Sequence, residues 1–263
     1  SIFESLKKDN SEKYEYILPS ATYSKNIING NSIGNIDLTS NFKIENNDTN
    51  KTKKSLINDF NWNYKDIFFE NGIKSKIFSE FKNINYDSKN IAGLKSNKTT
   101  ELYGALGYLT KIDLYKDYNE YNRHLFTPKI LLRYAPGNMK QETSGRITNL
   151  NIFSLNRASS EDNFENGLNA TLGFDYEIDN KDKKFSFSGG QVINQKENKK
   201  MSSESSLNEK MSDFVGSANF NYNNKFKFDY KFAVDQNYSD LNYNDVNTTL
   251  NFNSVNLNFN YLK

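Results

Sequence analysis

The stretch Phe226-Lys-Phe-Asp-Tyr-Lys-Phe232 alternates aromatic with charged side chains, and Ala218-Asn-Phe-Asn-Tyr222 and Val255-Asn-Leu-Asn-Phe-Asn-Tyr261 repeat the alternation with asparagine. In a β-strand, a period of two sends successive side chains to opposite faces. One face is therefore largely aromatic and the other is polar. A soluble sandwich buries such a face against a second sheet, whereas an outer-membrane barrel turns it toward lipid and keeps the polar face for a hydrated lumen.

Composition agrees with a large β domain. The 263 residues include 20 Phe, 17 Tyr and only 3 Pro, and the mean hydropathy of −0.82 leaves no long apolar run for a membrane helix. Membrane-spanning strands remain possible because they are short and only half apolar. The net charge is +2 without a basic stripe, which gives nucleic-acid binding no support. Cysteine is absent, so disulfides, thiolate metal sites and cysteine nucleophiles are excluded.

The connections between strand-like runs indicate an up-and-down sheet. About twelve such runs occur along the chain. Tight turns are predicted at 179–182, 223–224 and 253–254, and longer polar loops at 45–54, 87–100, 135–166 and 194–212. The long loops fall on every second connection, which is typical of outer-membrane barrels. Residues 113–123 interrupt this pattern as a long stretch on the short-turn rim, and 237–240 interrupt it as a short one on the long-loop rim. The predicted fold is all-β: part of an antiparallel up-and-down transmembrane β-barrel of about twelve meandering strands.

Several short motifs in the sequence resemble motifs of the LptD family, the lipopolysaccharide-assembly proteins of the outer membrane. The run from Phe153 to Gly167 is similar to a family segment that leads from an extracellular loop into a strand. Two further motifs, Phe187-Ser-Gly-Gly-Gln191 and Ser212-Asp-Phe-Val-Gly216, are similar to family motifs and occur in the same order and with similar spacing. The residues that carry the resemblance are Asn156, Arg157, Asp162, Glu165, Gly167, Gly190, Gln191, Ser212, Asp213 and Gly216.

The resemblance implies that residues 1–263 are a single segment of a C-terminal barrel of about 26 strands. Because the chain stops inside a strand pattern, we expect it to be a fragment, with a jelly-roll domain before Ser1 and further strands after Lys263. The location implied is the cell outer membrane. The partners implied are lipopolysaccharide (LPS), membrane lipid, an LptE-like lipoprotein plug and the periplasmic proteins that deliver LPS.

The function expected is non-covalent transport rather than catalysis, with no cofactor. As part of a translocon, the barrel would accept the sugar portion of LPS in its hydrated lumen while the acyl chains leave sideways into the outer leaflet. The residues predicted to face the lumen are Asn61, Asn63, Asp175, Glu177, Lys227, Asp229 and Lys231. A generic outer-membrane porin or receptor barrel is the alternative, because it shares the alternation. A soluble β-sandwich or adhesin module is a third possibility.

Candidate reactive residues have simpler structural interpretations. His124, the single histidine, lacks a Gly-x-Ser-x-Gly elbow in the sequence, so we expect a rim or lumen position. Glu161, Asp162 and Glu165 could hold a cation, but a solvated acidic loop is favoured and no metal site is predicted. Arg157 and the acidic residues near it are expected to close the loop through charge pairs.

Two prolines lie inside strand patterns. Pro19 and Pro128 each remove a donor from the hydrogen-bond ladder, so a bulge or local bend is predicted at both positions.

Overall fold

The fold is described from a computed structural model of the chain, which describes residues 2–4, 14–30, 32–47, 50–91, 94–119, 122–252 and 255–263. The described residues form fifteen strands and one short 3₁₀ turn at Ser203–Ser205, so the all-β prediction is confirmed. The strands are β1 (Ile2–Glu4), β2 (Tyr14–Gly30), β3 (Gly34–Asn47), β4 (Lys51–Asn63), β5 (Ile67–Phe68), β6 (Ile73–Lys89), β7 (Thr99–Ile112), β8 (Leu114–Asn119), β9 (Asn122–Ala135), β10 (Gly167–Asn180), β11 (Lys183–Asn194), β12 (Phe214–Tyr222), β13 (Phe226–Val234), β14 (Leu241–Phe252) and β15 (Val255–Leu262).

The chain forms two compact units. Unit 1 comprises residues 1–65 and 78–105, and unit 2 comprises residues 66–77 and 106–263, so β6 and β7 contribute to both. In unit 1, β2, β3, β4 and β6 pair antiparallel in chain order. In unit 2, β9 to β15 do the same. The predicted antiparallel meander is therefore confirmed in each unit.

The registers place like residues opposite one another. Phe228 lies opposite Phe220 and Tyr230 lies opposite Ala218, while Asp229 between them lies opposite Asn219. Residues directly opposite on neighbouring strands share a face, so the period-two pattern of each strand becomes a continuous surface of one chemistry.

The predicted loop at 45–54 is wrong. Strand β3 continues to Asn47 and β4 begins at Lys51, so both strands extend into the predicted loop. Glu45 lies opposite Lys53, and this opposite-charge pair favours pairing where sequence polarity suggested a loop. The predicted alternation of short turns and long loops therefore fails at this hairpin. The strand count exceeds the predicted twelve because β1, β5 and β8 are short additional strands.

Pro19 marks a register irregularity, as predicted, whereas Pro128 lies beside a change of partner strand and not at a bulge. In β2, the register with β3 shifts between Ile17 and Ser20, on either side of Pro19. In β9, Pro128 stays in register with Phe174 of β10, but on the other edge the partner of β9 changes beside it from β7 to β8. A proline has no N–H to donate, so each lies where one ladder is interrupted.

None of the described residues forms a helix with the length and hydropathy needed to cross a membrane. Among the described residues, β15 pairs with β14 alone. The closed barrel therefore stays a prediction.

Candidate functional site

The two faces of the unit 2 sheet differ in chemistry. Asp175, Ser188, Ser217 and Lys231 form one row across β10 to β13, each directly opposite the next. We call the face that carries this row the polar face. The opposite, aromatic face carries a network of ring contacts with centroid distances of 5.3 to 6.2 Å, formed by Phe126, Phe174, Phe187, Phe214, Tyr230 and Phe232.

The residues predicted to face a lumen occupy alternate positions of one face in their strands. In unit 2, all five lie on the polar face: Asp175, Glu177, Lys227, Asp229 and Lys231. In unit 1, the other two lie in β4, where Asn61 is opposite Glu80 and Asn63 is opposite Phe78.

The polar face of unit 2 carries balanced charge. The Nζ of Lys129 lies 2.7 Å from Asp175 Oδ2, and the Nζ of Lys231 lies 3.4 Å from Asp245 Oδ2. Nearer the tight turns, Glu177, Lys227 and Asp229 help to line an open depression of about 440 Å³. Paired and mixed charges provide polarity without a strong preference for one sign of ion.

Two long connections, residues 136–166 and 195–213, fold over the polar face, and together we call them the cap. A hydrophobic cluster joins the cap to the strands beneath it. Its buried members are Met139, Ile147, Ile152, Val192, Met201, Leu207, Val215 and Ala233. The two connections are also joined directly, because the Glu142 amide donates to the Lys200 carbonyl at 2.8 Å and Lys200 Nζ donates to the Met139 carbonyl at 3.0 Å. The cap is thus a packed body.

Glycines in the strands let the cap approach the sheet closely. A Cβ at Gly173 would lie 2.9 Å from the ring of Phe153, and a Cβ at Gly190 would lie 3.3 Å from Ile152 Cδ1 and 3.0 Å from the Leu172 carbonyl oxygen. Side chains at these positions would hold the cap away from the polar face. The resemblance residue Gly190 therefore has a packing role.

A buried charge cluster closes the first connection of the cap. The guanidinium of Arg157 donates to both carboxylate oxygens of Glu165, with Nε 2.7 Å from Oε2. Arg133 of β9 lies beneath them, with Nη1 3.5 Å from Glu165 Oε1, and Arg133 also donates to the Leu155 and Glu165 carbonyls. All three side chains are buried. The geometry fits the loop-closing role expected of Arg157 and Glu165.

The environment of Glu165 acts on its pKa in two opposed ways. Burial alone would raise the pKa, but the nearby charges of Arg157 and Arg133, together with the hydrogen bonds from Arg157, outweigh it. The net pKa is lowered, so the carboxylate stays ionised. A buried charge held this way stabilises the cap only while its partners remain in place.

Three other resemblance residues organise the same connection. Asn156 Oδ1 accepts from the Glu165 amide at 3.0 Å, and its Nδ2 donates to the Asn163 carbonyl at 3.2 Å. Asp162 lies 3.7 Å from Lys140 Nζ. Gly167 begins β10 with a φ of 114°, a conformation that favours glycine. Together they set the path by which the loop enters the strand.

The second family-like motif, which ends at Gln191, contacts the start of the third, Ser212, where the cap returns to the sheet. Ser212 Oγ accepts from the Val192 amide at 2.9 Å and donates to the Asp213 carbonyl at 2.8 Å. Gln191 Nε2 donates to the Ser212 carbonyl at 2.8 Å. Asp213 Oδ2 accepts from Asn242 Nδ2 at 2.9 Å, yet its pKa is raised, chiefly by burial. These contacts join the start of β12 to β11 and β14.

The remaining resemblance residue, Gly216, lies on the aromatic face. A Cβ there would meet the Phe232 ring at 2.6 Å and the Ser188 carbonyl oxygen at 2.8 Å. The ring therefore covers the glycine of the neighbouring strand, which is a common way to fill a glycine position in a sheet.

Sequence reasoning missed two buried residues, one beneath the cap and one within it. Arg133 lies beneath the cap, and an arginine between Leu131 and Ala135 on the polar-face parity of β9 was a usable signal. Glu142 is buried and accepts from Asn163 Nδ2 at 2.6 Å and Ser159 Oγ at 2.7 Å. No periodicity marks a loop residue such as Glu142, so no sequence signal existed for it.

The residues weighed for catalysis or metal binding have other contacts. His124 Nδ1 lies 2.7 Å from the Tyr176 hydroxyl near the tight-turn end of β9. Glu165 binds arginines and Asp162 binds lysine, as described above. Across the described ranges, no three His, Cys, Asp or Glu side chains are grouped so as to hold a metal ion.

Comparison with protein families gives one match. The model of the family described as LptD, LPS transport system D, matches residues 83–263. The match covers most of the chain and includes the cap, the strands beneath it and all ten resemblance residues. The chain matches no curated protein.

Proposed function

The chain belongs to the LptD family of LPS transport proteins, and from this premise we propose that it forms part of the translocon that inserts LPS into the outer leaflet. The family consists of outer-membrane transport proteins. In the proposal, residues 1–263 are one segment of the barrel wall. Further strands complete the barrel, and a jelly-roll domain precedes it in the full-length protein. The work is non-covalent: the sugar portion of LPS passes along the hydrated interior and the acyl chains leave sideways into lipid.

The difference between the two faces of unit 2 carries the proposal. The row from Asp175 to Lys231 is polar, while the opposite face of the same strands carries the aromatic network, whose rings are partly exposed. In a membrane, the aromatic face meets acyl chains without cost, and the polar face needs water. The cap packs on the polar face, as expected of a loop that folds into a lumen.

The cap also divides the polar face. Beneath it, the face is filled by the hydrophobic cluster and the charge cluster, whereas toward the tight turns it is open around Glu177, Lys227 and Asp229. In unit 2, the sugar portion would therefore meet exposed hydrogen-bonding groups at the tight-turn end of β10 to β13. We propose Asp175, Glu177, Lys227, Asp229 and Lys231 as wall contacts of the passage in unit 2, and Asn61 and Asn63 as lumen-facing residues of unit 1, with membrane lipid outside.

The family also suggests the partners. LPS is the substrate consistent with the family. We propose an LptE-like lipoprotein plug inside the barrel and periplasmic bridge proteins that deliver LPS.

The absence of cysteine in the chain makes a direct test possible. The variants Lys227→Cys, Phe228→Cys, Asp229→Cys and Tyr230→Cys, each introduced into a cysteine-free background of the full-length protein, would be labelled in membranes with a water-soluble maleimide and with a lipid-soluble one. We expect the water-soluble reagent to label positions 227 and 229, and the lipid-soluble one to label 228 and 230. The reverse pattern, or equal labelling, would refute the orientation.

The generic porin or receptor function requires a separate measurement. Depletion of the full-length protein should stop newly made LPS from reaching the cell surface, as measured with an impermeant LPS-modifying reagent. Unchanged LPS arrival in depleted cells would refute the transport function, even if the cysteine pattern held.

A further inference from the structure

The stretch 113–123, which broke the predicted pattern of turns, contains an exposed strand edge. Strand β8 has six residues and all are exposed. It pairs with β9, from Leu114 opposite Phe126 to Asn119 opposite Asn122. Within the described part of the chain, β8 has no other partner strand. Its second edge therefore presents backbone N–H and C=O groups to its surroundings.

The start of β6 explains why this edge is uncovered. Asp113 separates β7 from β8 and accepts from Lys74 Nζ at 2.5 Å and from Thr127 Oγ1 at 2.9 Å. Strand β6 begins at Ile73, level with this contact, so it pairs alongside β7 and does not extend along β8. Strand β5 pairs with β6, where Ile67 lies opposite Ser75. Because strands pair in chain order, no described strand is positioned to cover β8.

We propose that the free edge of β8 binds an extended segment of a different polypeptide by β-strand addition. An unpaired edge is best satisfied by another extended backbone, because only a strand matches the spacing of its donors and acceptors. One step of this proposal, the exclusion of a second copy of this chain as the partner, rests on the membrane orientation given by the proposed function.

The side chains of β8 specify the chemistry of the added strand. Leu114 and Lys116 share the aromatic-face side of the hairpin. Tyr118 lies at a register irregularity between Asp117 and Asn119, and its ring centroid is 4.7 Å from that of His124 on the same side. Lys116 has no ion pair among the described residues, and its Nζ lies 4.7 Å from the Tyr118 ring centroid. On the other side, Asp117 is already neutralised by Arg123, with Nε 2.7 Å from Oδ1. The complementary strand therefore carries an acidic side chain opposite Lys116, with an apolar side chain opposite Leu114.

A second copy of the chain does not meet these requirements. Two copies inserted the same way in one membrane have parallel β8 strands, and the two-fold axis along the membrane normal would join the aromatic face of one to the polar face of the other. Antiparallel pairing would keep the faces aligned, but it requires the two copies to be inserted in opposite directions.

Photo-crosslinking from two positions on the polar-face side of the edge tests the proposal. The full-length protein would carry p-benzoylphenylalanine at position 115 or 117 in growing cells, with position 108 in β7 as a control because Tyr108 lies in a strand paired with β9. We expect adducts from 115 and 117, and none from 108, to map to a single segment of one partner at positions two residues apart. That spacing is the signature of an added strand.

A charge variant adds a quantitative outcome. Lys116→Glu should lower the adduct yield about fivefold, whereas Lys116→Arg should preserve it. Absence of adducts, adducts scattered over several segments, adducts with a second copy, or adducts with lipid alone would each overturn the proposal. LPS arrival at the surface would be measured in the same cells, so normal export without adducts refutes this inference and leaves the transport function intact.

Discussion

Arg157 and Glu165 form a buried ion pair with two hydrogen bonds, eight residues apart in one loop and enclosed between the cap and the sheet. Arg133, from the strand below, completes the neutralisation. The pair closes the connection 136–166 on itself, and Arg133 attaches the closed loop to β9. The stability of the cap therefore depends on charges that must remain together.

Replacing Glu165 by glutamine should loosen the cap. The change leaves the guanidiniums of Arg133 and Arg157 buried without their counter-charge, which costs roughly 3–5 kcal/mol. Amide hydrogen exchange should become faster across 136–166 and stay slow in β13. Glu204→Gln is the matched control, because Glu204 is an exposed residue of the same cap. Equal exchange in the two variants would show that the ion pair does not hold the loop.

Acid should weaken the same contact. The pKa of Glu165 is lowered below its ordinary value of 4.5, so its stabilising contribution is fully present above pH 4.5 and is lost as the pH falls through the lower, folded pKa. Exchange across 136–166 should accelerate over that acidic range. In Glu165→Gln the acceleration should be absent, and its persistence there would assign the effect to another group.

Asp213→Asn should stabilise the protein at neutral pH. Burial raises the pKa of Asp213 above its ordinary 3.8, so its ionised form is penalised in the folded state at higher pH and the penalty vanishes below 3.8. The denaturant midpoint should rise at neutral pH and stay unchanged in strong acid.

Asp235→Asn is the control of opposite sign. The pKa of Asp235 is lowered by backbone hydrogen bonds, the largest effect coming from the Asp240 amide, whose nitrogen lies 3.0 Å from Oδ1. This variant should lower the midpoint at neutral pH. A fall for Asp213→Asn as well would contradict the burial argument.

Gly216→Ala should disturb the aromatic face. The new Cβ meets the Phe232 ring at 2.6 Å and a backbone oxygen at 2.8 Å, and such overpacking typically costs about 1–3 kcal/mol. The free energy of unfolding, measured by denaturant titration, should fall by that amount. Gly30→Ala in β2 should have a much smaller effect, because its Cβ meets only Ile28 at 3.8 Å.

Charge on the two faces should have unequal effects on membrane assembly. Phe228→Lys places an ammonium on the face proposed to meet lipid, at a cost of up to about 2–4 kcal/mol. Asp229→Lys, one residue away, places it on the proposed wet face. The folded, membrane-inserted fraction should fall for the first variant only, and equal losses would contradict the proposed orientation.

Period-two alternation predicted the strands and both faces, because side-chain direction in a strand is a local property of the backbone. Phe226 to Phe232 and their partners lie where the pattern places them. At 45–54 the same reasoning failed. The polar residues there predicted a loop, but cross-strand pairing, which is not a local property, extends both strands.

The sequence by itself determined the fold class, the aromatic and polar faces, and the family-like motif that contains Arg157 and Glu165. Only the tertiary structure decided that Arg133 meets those two residues, that Glu142 is buried, and that β8 has a free edge. Each of these depends on segments far apart in the chain reaching the same place, and neither spacing nor composition encodes where a long loop folds back or where a neighbouring strand begins.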